Sequence, residues 1–153
     1  MVPLDIFFID YGKQDRRPDE FVESIFVPLP PAENHVGVYK ITKRRDEDIS
    51  AVCGAFNLSL ADDNTVRAIR IAYGGMAGTP KRALSVEAFL RGKPWTEETV
   101  LAARDQFDRD YKPLTDWRAS AEYRQLTAKN LLLRFFLEST GTPQGLTRFE
   151  EVA

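Results

Sequence analysis

Between residues 52 and 73 the apolar side chains fall on alternate positions, and no other feature limits the possible folds as tightly. Val52, Gly54, Phe56, Leu58 and Leu60 are separated by small or polar residues, the period of a strand with one buried face. Asp62, Asp63 and Asn64 supply turn chemistry, and Ile69, Ile71 and Tyr73 resume the alternation beyond them. The pattern predicts a β-hairpin. Two runs rich in β-branched and aromatic residues precede it and also read as strands. One, at 21–27, is ended by Pro28, Pro30 and Pro31; the other lies at 36–41.

Downstream the period becomes that of a helix. Ser85 is placed to cap a short helix ending at Gly92, with Leu84 and Phe89 as its hydrophobic staple. Thr96 repeats the arrangement with Trp95 and Val100, and Val100, Ala103, Phe107 and Tyr111 mark one face as far as Pro113. A third helix is predicted to start near Ser120 and stop at Gly141. Its Ala128, Leu131, Leu132, Phe135 and Phe136 follow helical spacing without a miss. Strands followed by helices predict an α+β fold, a mainly antiparallel sheet packed on one face by about three helices. The chain is expected to be a single domain, residues 1–153, with its core at about 20–138. Its loosest segments are expected at 12–19 and beyond 141.

A composition 43% hydrophobic and 29% charged is that of a chain able to build a core. The formal net charge of −2 leaves no basic field to hold nucleic acid or an anionic membrane. Cys53 and His35 are alone of their kinds, which excludes an internal disulfide, a cysteine cluster and a histidine-rich metal site. The most apolar stretch, 131–137, is interrupted by Arg134 and falls far short of the ~20 residues a membrane span needs. The opening residues, with Asp5 and Asp10, do not read as a signal peptide. A soluble, cytoplasmic protein is expected.

Few residues offer chemistry. Lys40, on a strand beside Tyr39 and ahead of the densely charged stretch 42–48, is suited to line a ligand cleft, where its ammonium would favour an anion. A solvated loop between two strands accounts for the same residues. The glycines at 74, 75 and 78 match no phosphate-binding loop and read as a turn leaving the hairpin. Lys81 and Arg82, like Lys43 to Arg45, read as solvated loop charge, and Asp105, Asp108 and Asp110 as helix surface. Asn130 and Arg134 are expected to bond at the edge of the core, and Arg118 to pair with Asp116 or a loop carbonyl.

Three stretches in order, VYKITKRRDEDISAVCGAF, RIAYGGMAGTPKRA and RASAEYRQLTAKNLLLRFF, resemble the flavoprotein part of molybdenum hydroxylases. More narrowly they are similar to the small subunit of xanthine dehydrogenases, in the region called the CO dehydrogenase flavoprotein C-terminal domain. With the opening DIFFIDYGKQDRRPDEFVESIFVP, the resemblance covers about residues 4 to 138. It implies an α+β sandwich within an enzyme that hydroxylates a purine at a molybdenum centre and passes electrons through iron–sulfur clusters to FAD and then NAD. It also implies that Lys40 reaches the flavin, with Tyr39 beside it and Val22 near the cofactor, and that the 42–48 loop flanks the nicotinamide approach. Arg44, Arg45, Asp46 and Asp48 would there shape the local potential.

The subdomain that supplies most FAD contacts in that family, with its glycine-rich pyrophosphate loop, is not found in this sequence. The implied partners are therefore an upstream FAD-binding subdomain and iron–sulfur and molybdopterin domains or subunits. The chain alone is expected to bind FAD weakly or undetectably and to catalyse nothing, and its uncovered surface to favour a homo-oligomer. A stand-alone interaction module that kept the fold and lost the cofactor is the alternative; an independent enzyme has the least support, because catalytic groups are sparse.

Overall fold

The computed structural model describes residues 1–44 and 46–141. After a one-turn helix α1 (Leu4–Phe7), strands β1 (Phe8–Asp10) and β2 (Lys13–Gln14) form a small antiparallel ribbon. A second sheet carries the fold. Its strands are β3 (His35–Ile41), β4 (Val52–Leu60), β5 (Val66–Gly74) and β6 (Lys81–Arg82), antiparallel throughout and ordered β3-β4-β5-β6.

The hairpin lies where the alternation places it. Phe56 faces Ile71 and Leu58 faces Ile69 across β4 and β5. At the turn, Asn64 adopts a φ of 63°, and the Asp63 carboxylate accepts from the backbone N and hydroxyl of Thr65 at 3.0 and 2.7 Å.

Helices α2 (Leu84–Leu90), α3 (Glu97–Ala103), α4 (Phe107–Asp110) and α5 (Ala121–Ser139) supply the second layer, with a 3-10 turn at Arg104–Gln106 joining α3 to α4. The fold is the predicted α+β arrangement, an antiparallel sheet under helices. Its core is aromatic. Phe56 stacks on Phe135 of α5 with centroids 4.8 Å apart, and meets Tyr39 and Tyr73 edge-on at 5.7 Å. Gly54, opposite both tyrosines in register, makes this possible: a Cβ there would sit 2.8 Å from the Tyr73 ring.

Thr96 caps α3 as predicted, accepting from Thr99 N, and α5 starts where expected, capped by Ser120, which accepts from Tyr123 N. Three expectations are corrected. Residues 21–27 form no strand; the stretch has no regular secondary structure, makes no hydrogen bond among the described residues, and leaves Phe21, Phe26 and Val27 at 82%, 80% and 72% exposure. Ser85 does not cap α2. The cap is the buried carboxylate of Asp110, which accepts from Ser85 N and Val86 N at 2.9 and 3.1 Å and so is not helix surface. Nor are Lys81 and Arg82 solvated loop charge: they form β6, Lys81 donating to Asp110 O at 2.6 Å and Arg82 pairing with buried Glu87. Glu87 also accepts from Ile71 N at 2.8 Å, satisfying an amide at the sheet edge that the short β6 leaves open. Arg45 and the tail beyond 141 lie outside the described residues.

Candidate functional site

Strand pleating divides the central sheet into two chemically different faces. Toward the helices point Tyr39, Val52, Phe56, Leu58, Ile69, Ile71 and Tyr73, all buried. Away from them point three cross-strand rows: Lys40, Cys53 and Gly74; Val38, Ala55 and Ala72; Val36, Asn57 and Arg70. Cys53, Ala55, Ala72 and Gly74 are half-buried, while Lys40, Val36, Val38 and Arg70 are exposed. The second face is thus a shallow floor of small residues with a lysine at its rim. The Lys40 side chain makes no hydrogen bond or ion pair among the described residues.

Tyr39 and Lys40, neighbours in sequence, therefore point to opposite faces. The Tyr39 ring is 8% exposed, and its hydroxyl donates to Glu138 Oε2 at 2.6 Å. Burial, and then the Glu138 carboxylate, hold its phenol well above the ordinary value, so it stays neutral. Arg134 lies over the same ring at 4.8 Å and donates to Glu138 Oε1 at 2.7 Å, while Asn130 accepts from Arg104 at 3.0 Å. Val22 is half exposed on the unpaired 21–27 stretch, joined by no hydrogen bond to β3.

One guanidinium ties the sheet's end to α5. Arg124, 3% exposed, donates to Ala51 O ahead of β4, to Gly75 O after β5 at 2.9 Å, and to Asp116 Oδ1 at 2.7 Å. Gly75 is required beneath it: its φ is 82°, and a Cβ there would lie 2.3 Å from Ala51 O. Asp116 thus forms its ion pair with Arg124, and takes from Arg118 only the backbone N–H, at 2.8 Å. In the loop after β3, Arg44 faces Asp48 at 3.7 Å and Lys43 donates to Trp117 O at 2.9 Å. Among the described residues, no group of three or more His, Cys, Asp or Glu is placed to hold a metal ion, and no helix is long and apolar enough to cross a membrane.

Residues 37–139, which contain the sheet, its floor and all the covering helices, match the CO dehydrogenase flavoprotein C-terminal domain family. The chain belongs to that family. Members form the C-terminal part of the FAD-binding region of molybdenum hydroxylases. The xanthine dehydrogenase of Emericella nidulans is 34% identical over 101 residues, 65% of this chain but 7% of that protein. The xanthine dehydrogenase FAD-binding subunit of Escherichia coli O157:H7 is 29% identical over 146 residues, 94% of this chain and 49% of that subunit. Among solved structures, carbon monoxide dehydrogenase from Hydrogenophaga pseudoflava, in a form lacking the Mo-pyranopterin moiety, superposes with a TM-score of 0.76 at 32% identity. That match covers 85% of this chain and 45% of the other. The chain thus spans about half of the separate flavoprotein subunits and a small fraction of the long xanthine dehydrogenases it resembles.

Within this family domain, resemblance singles out Lys40, and pattern passes over the floor beside it. The signal was present, since Cys53, Ala55, Asn57 and Ser59 are the small, off-phase positions of β4, but their size registered only as the absence of a core.

Proposed function

We propose that the chain forms one wall of a flavin site in a xanthine dehydrogenase-type molybdenum hydroxylase, closed when the FAD-binding part of that enzyme covers its open sheet face. The observation that carries this reading is Lys40, an ammonium without a carboxylate partner, at the rim of a floor built from Cys53, Ala55, Ala72 and Gly74. Small side chains let a flat ring lie close to the sheet, and the ammonium favours a ring that gains negative charge. These residues suit one side of a flavin; the pyrophosphate contacts must come from elsewhere. Bound there, FAD would accept electrons from iron–sulfur clusters fed by a molybdopterin centre and deliver them to NAD. The chain's own part is charge and contact. Tyr39 anchors β3 in the core and so fixes where Lys40 stands, and Val22 meets the cofactor from the 21–29 stretch. The exposed apolar side chains of that stretch support a covering polypeptide, because so long an unpaired run is costly to leave in water. Purine oxidation in the cytoplasm is the setting this reading assigns.

The test is reconstitution. The purified chain is mixed with FAD and the separately prepared FAD-binding part of a xanthine dehydrogenase FAD-binding subunit. A stable complex with a shifted flavin absorbance is expected. Lys40→Ala is expected to preserve the complex and weaken flavin binding about tenfold, the worth of one charge-assisted contact. A complex whose flavin spectrum is unchanged would favour the stand-alone interaction module; a folded chain that forms no complex refutes the proposal.

A further inference from the structure

Where β3 runs out beside the first turn of α5 lies a pocket of about 280 Å³, lined among others by Ile41, Thr42, Lys43, Ala51, Arg118 and Tyr123. Two cations reach it from separate segments. Lys43 spends one donor on Trp117 O at 2.9 Å. Arg118 lays its guanidinium over the Trp117 ring at 3.8 Å, yet its side chain donates to nothing among the described residues, and its Nε is buried without a partner. Buried N–H groups are nearly always satisfied, so this one leaves room for an acceptor that the described residues do not supply.

Two of the nearby carboxylates are engaged elsewhere. Asp116 accepts from Arg124 and from the backbone N of Arg118 and Ala119, and Asp48 faces Arg44. The first amides of α5 are also in use, Ala121 N donating to Thr115 Oγ1 and Tyr123 N to Ser120 Oγ. Any selectivity here belongs to the two cationic side chains.

We propose that this pocket binds a phosphate group, with Lys43 and Arg118 gripping its oxygens from two sides. A compact dianion with several oxygens matches a point charge and a planar fork arriving from different segments, which a single carboxylate would not fill. The ring of Tyr123 and the side chain of Ile41 flank the space beside it, so a nucleotide phosphate gains a flat apolar neighbour that free phosphate does not use. Thr42 and Lys43 belong to the loop that the resemblance sets beside the nicotinamide approach, but Lys40 lies on the other face of the sheet, and neither Tyr39 nor Val22 lines the pocket.

The test titrates the full chain at low ionic strength with inorganic phosphate, pyrophosphate and AMP, following backbone amide NMR shifts. Saturable shifts are expected at residues 41–43, 51 and 118–123. Arg118→Gln and Lys43→Gln should each weaken binding about tenfold or more, while Arg70→Gln, on the open sheet face, leaves it unchanged. AMP binding more tightly than phosphate identifies a nucleotide; equal affinities identify free phosphate. Should Arg118→Gln fail to fold, Lys43→Gln decides alone, because its side chain is exposed. Absence of saturation with all three probes at millimolar concentration, or affinity unaltered in the folded variants, overturns the proposal. Phosphate binding retained in Lys40→Ala separates this site from the flavin wall.

Discussion

Arg124→Met should loosen the end of the sheet that carries Lys40, and the size of the effect follows from what each partner of Arg124 does when left alone. Methionine keeps the apolar stem of a side chain that is 3% exposed and removes every donor. The Ala51 carbonyl loses its guanidinium partner on a residue 4% exposed, and an acceptor left unsatisfied in that setting costs about 1–3 kcal/mol. Gly75 is exposed, so its carbonyl turns to water for about 1 kcal/mol or less. The sum, about 1–4 kcal/mol, lowers the Tm by roughly 2–15 °C for a chain of this size. Thermal unfolding by circular dichroism measures it, with a urea titration at unchanged m-value confirming that stability and not compactness has changed. Amide exchange should rise first at Val52 and Cys53, the first residues of β4 beyond Ala51. A Tm within about 2 °C of the parent, or a loss of exchange protection spread evenly through α5, would refute the idea that this one side chain clamps the strand ends.

Three further outcomes follow from the same contacts. Asp110→Ala should cost about 1–2 kcal/mol in chemical denaturation by uncapping α2, whereas Ser85→Ala should stay within about 0.5 kcal/mol; the reverse order would restore Ser85 as the cap. Gly54→Ala should destabilise by about 1–3 kcal/mol, because the new Cβ meets the Tyr73 ring at 2.8 Å and Phe56 at 3.2 Å, and a denaturation midpoint equal to the parent's would disprove that crowding. In acid, burial pushes the Asp116 carboxyl up, but N–H donors from Ala119, Arg124 and Arg118 outweigh it and hold it below its ordinary 3.8. A depressed folded value stabilises above 3.8 and is lost as pH falls through it, so the melting temperature should drop below about pH 4, less steeply in Asp116→Asn; equal slopes would count against the assignment.

What was legible in the sequence, and what was not, divides along one physical line. β4, β5 and α5 could be read because each finds its partners within the described chain, so pattern and environment agree. Residues 21–27 carry as many β-branched and aromatic side chains as 36–41, yet only the latter become a strand. Propensity is equal; pairing is not. A run of that composition reports side chains fitted to a pleated, half-buried surface, without saying which polypeptide provides it. The α2 cap fails for a related reason: capping rules examine neighbours, and Asp110 arrives from across the fold. Lys40 differs again. Spacing favours a solvated loop charge, resemblance singles it out, and the strand register sets it on a face of small residues.

That face and the exposed 21–29 stretch bear on one another. The open sheet face offers a partner Val36 and Val38, 55% and 67% exposed, beside its small floor residues, whereas Phe21, Ile25, Phe26, Val27 and Leu29 stand 71% to 90% exposed on a stretch that makes no backbone hydrogen bond among the described residues. A covering polypeptide would gain both strand pairing and apolar burial from that stretch, and only contact and charge from the floor. Association and cofactor recognition would then rest on different residues. Polar substitutions at Phe21 and Phe26 should abolish the complex while leaving Lys40 untouched, and Lys40→Ala should do the opposite. Loss of the complex in folded Lys40→Ala would mean that the flavin itself holds the two polypeptides together.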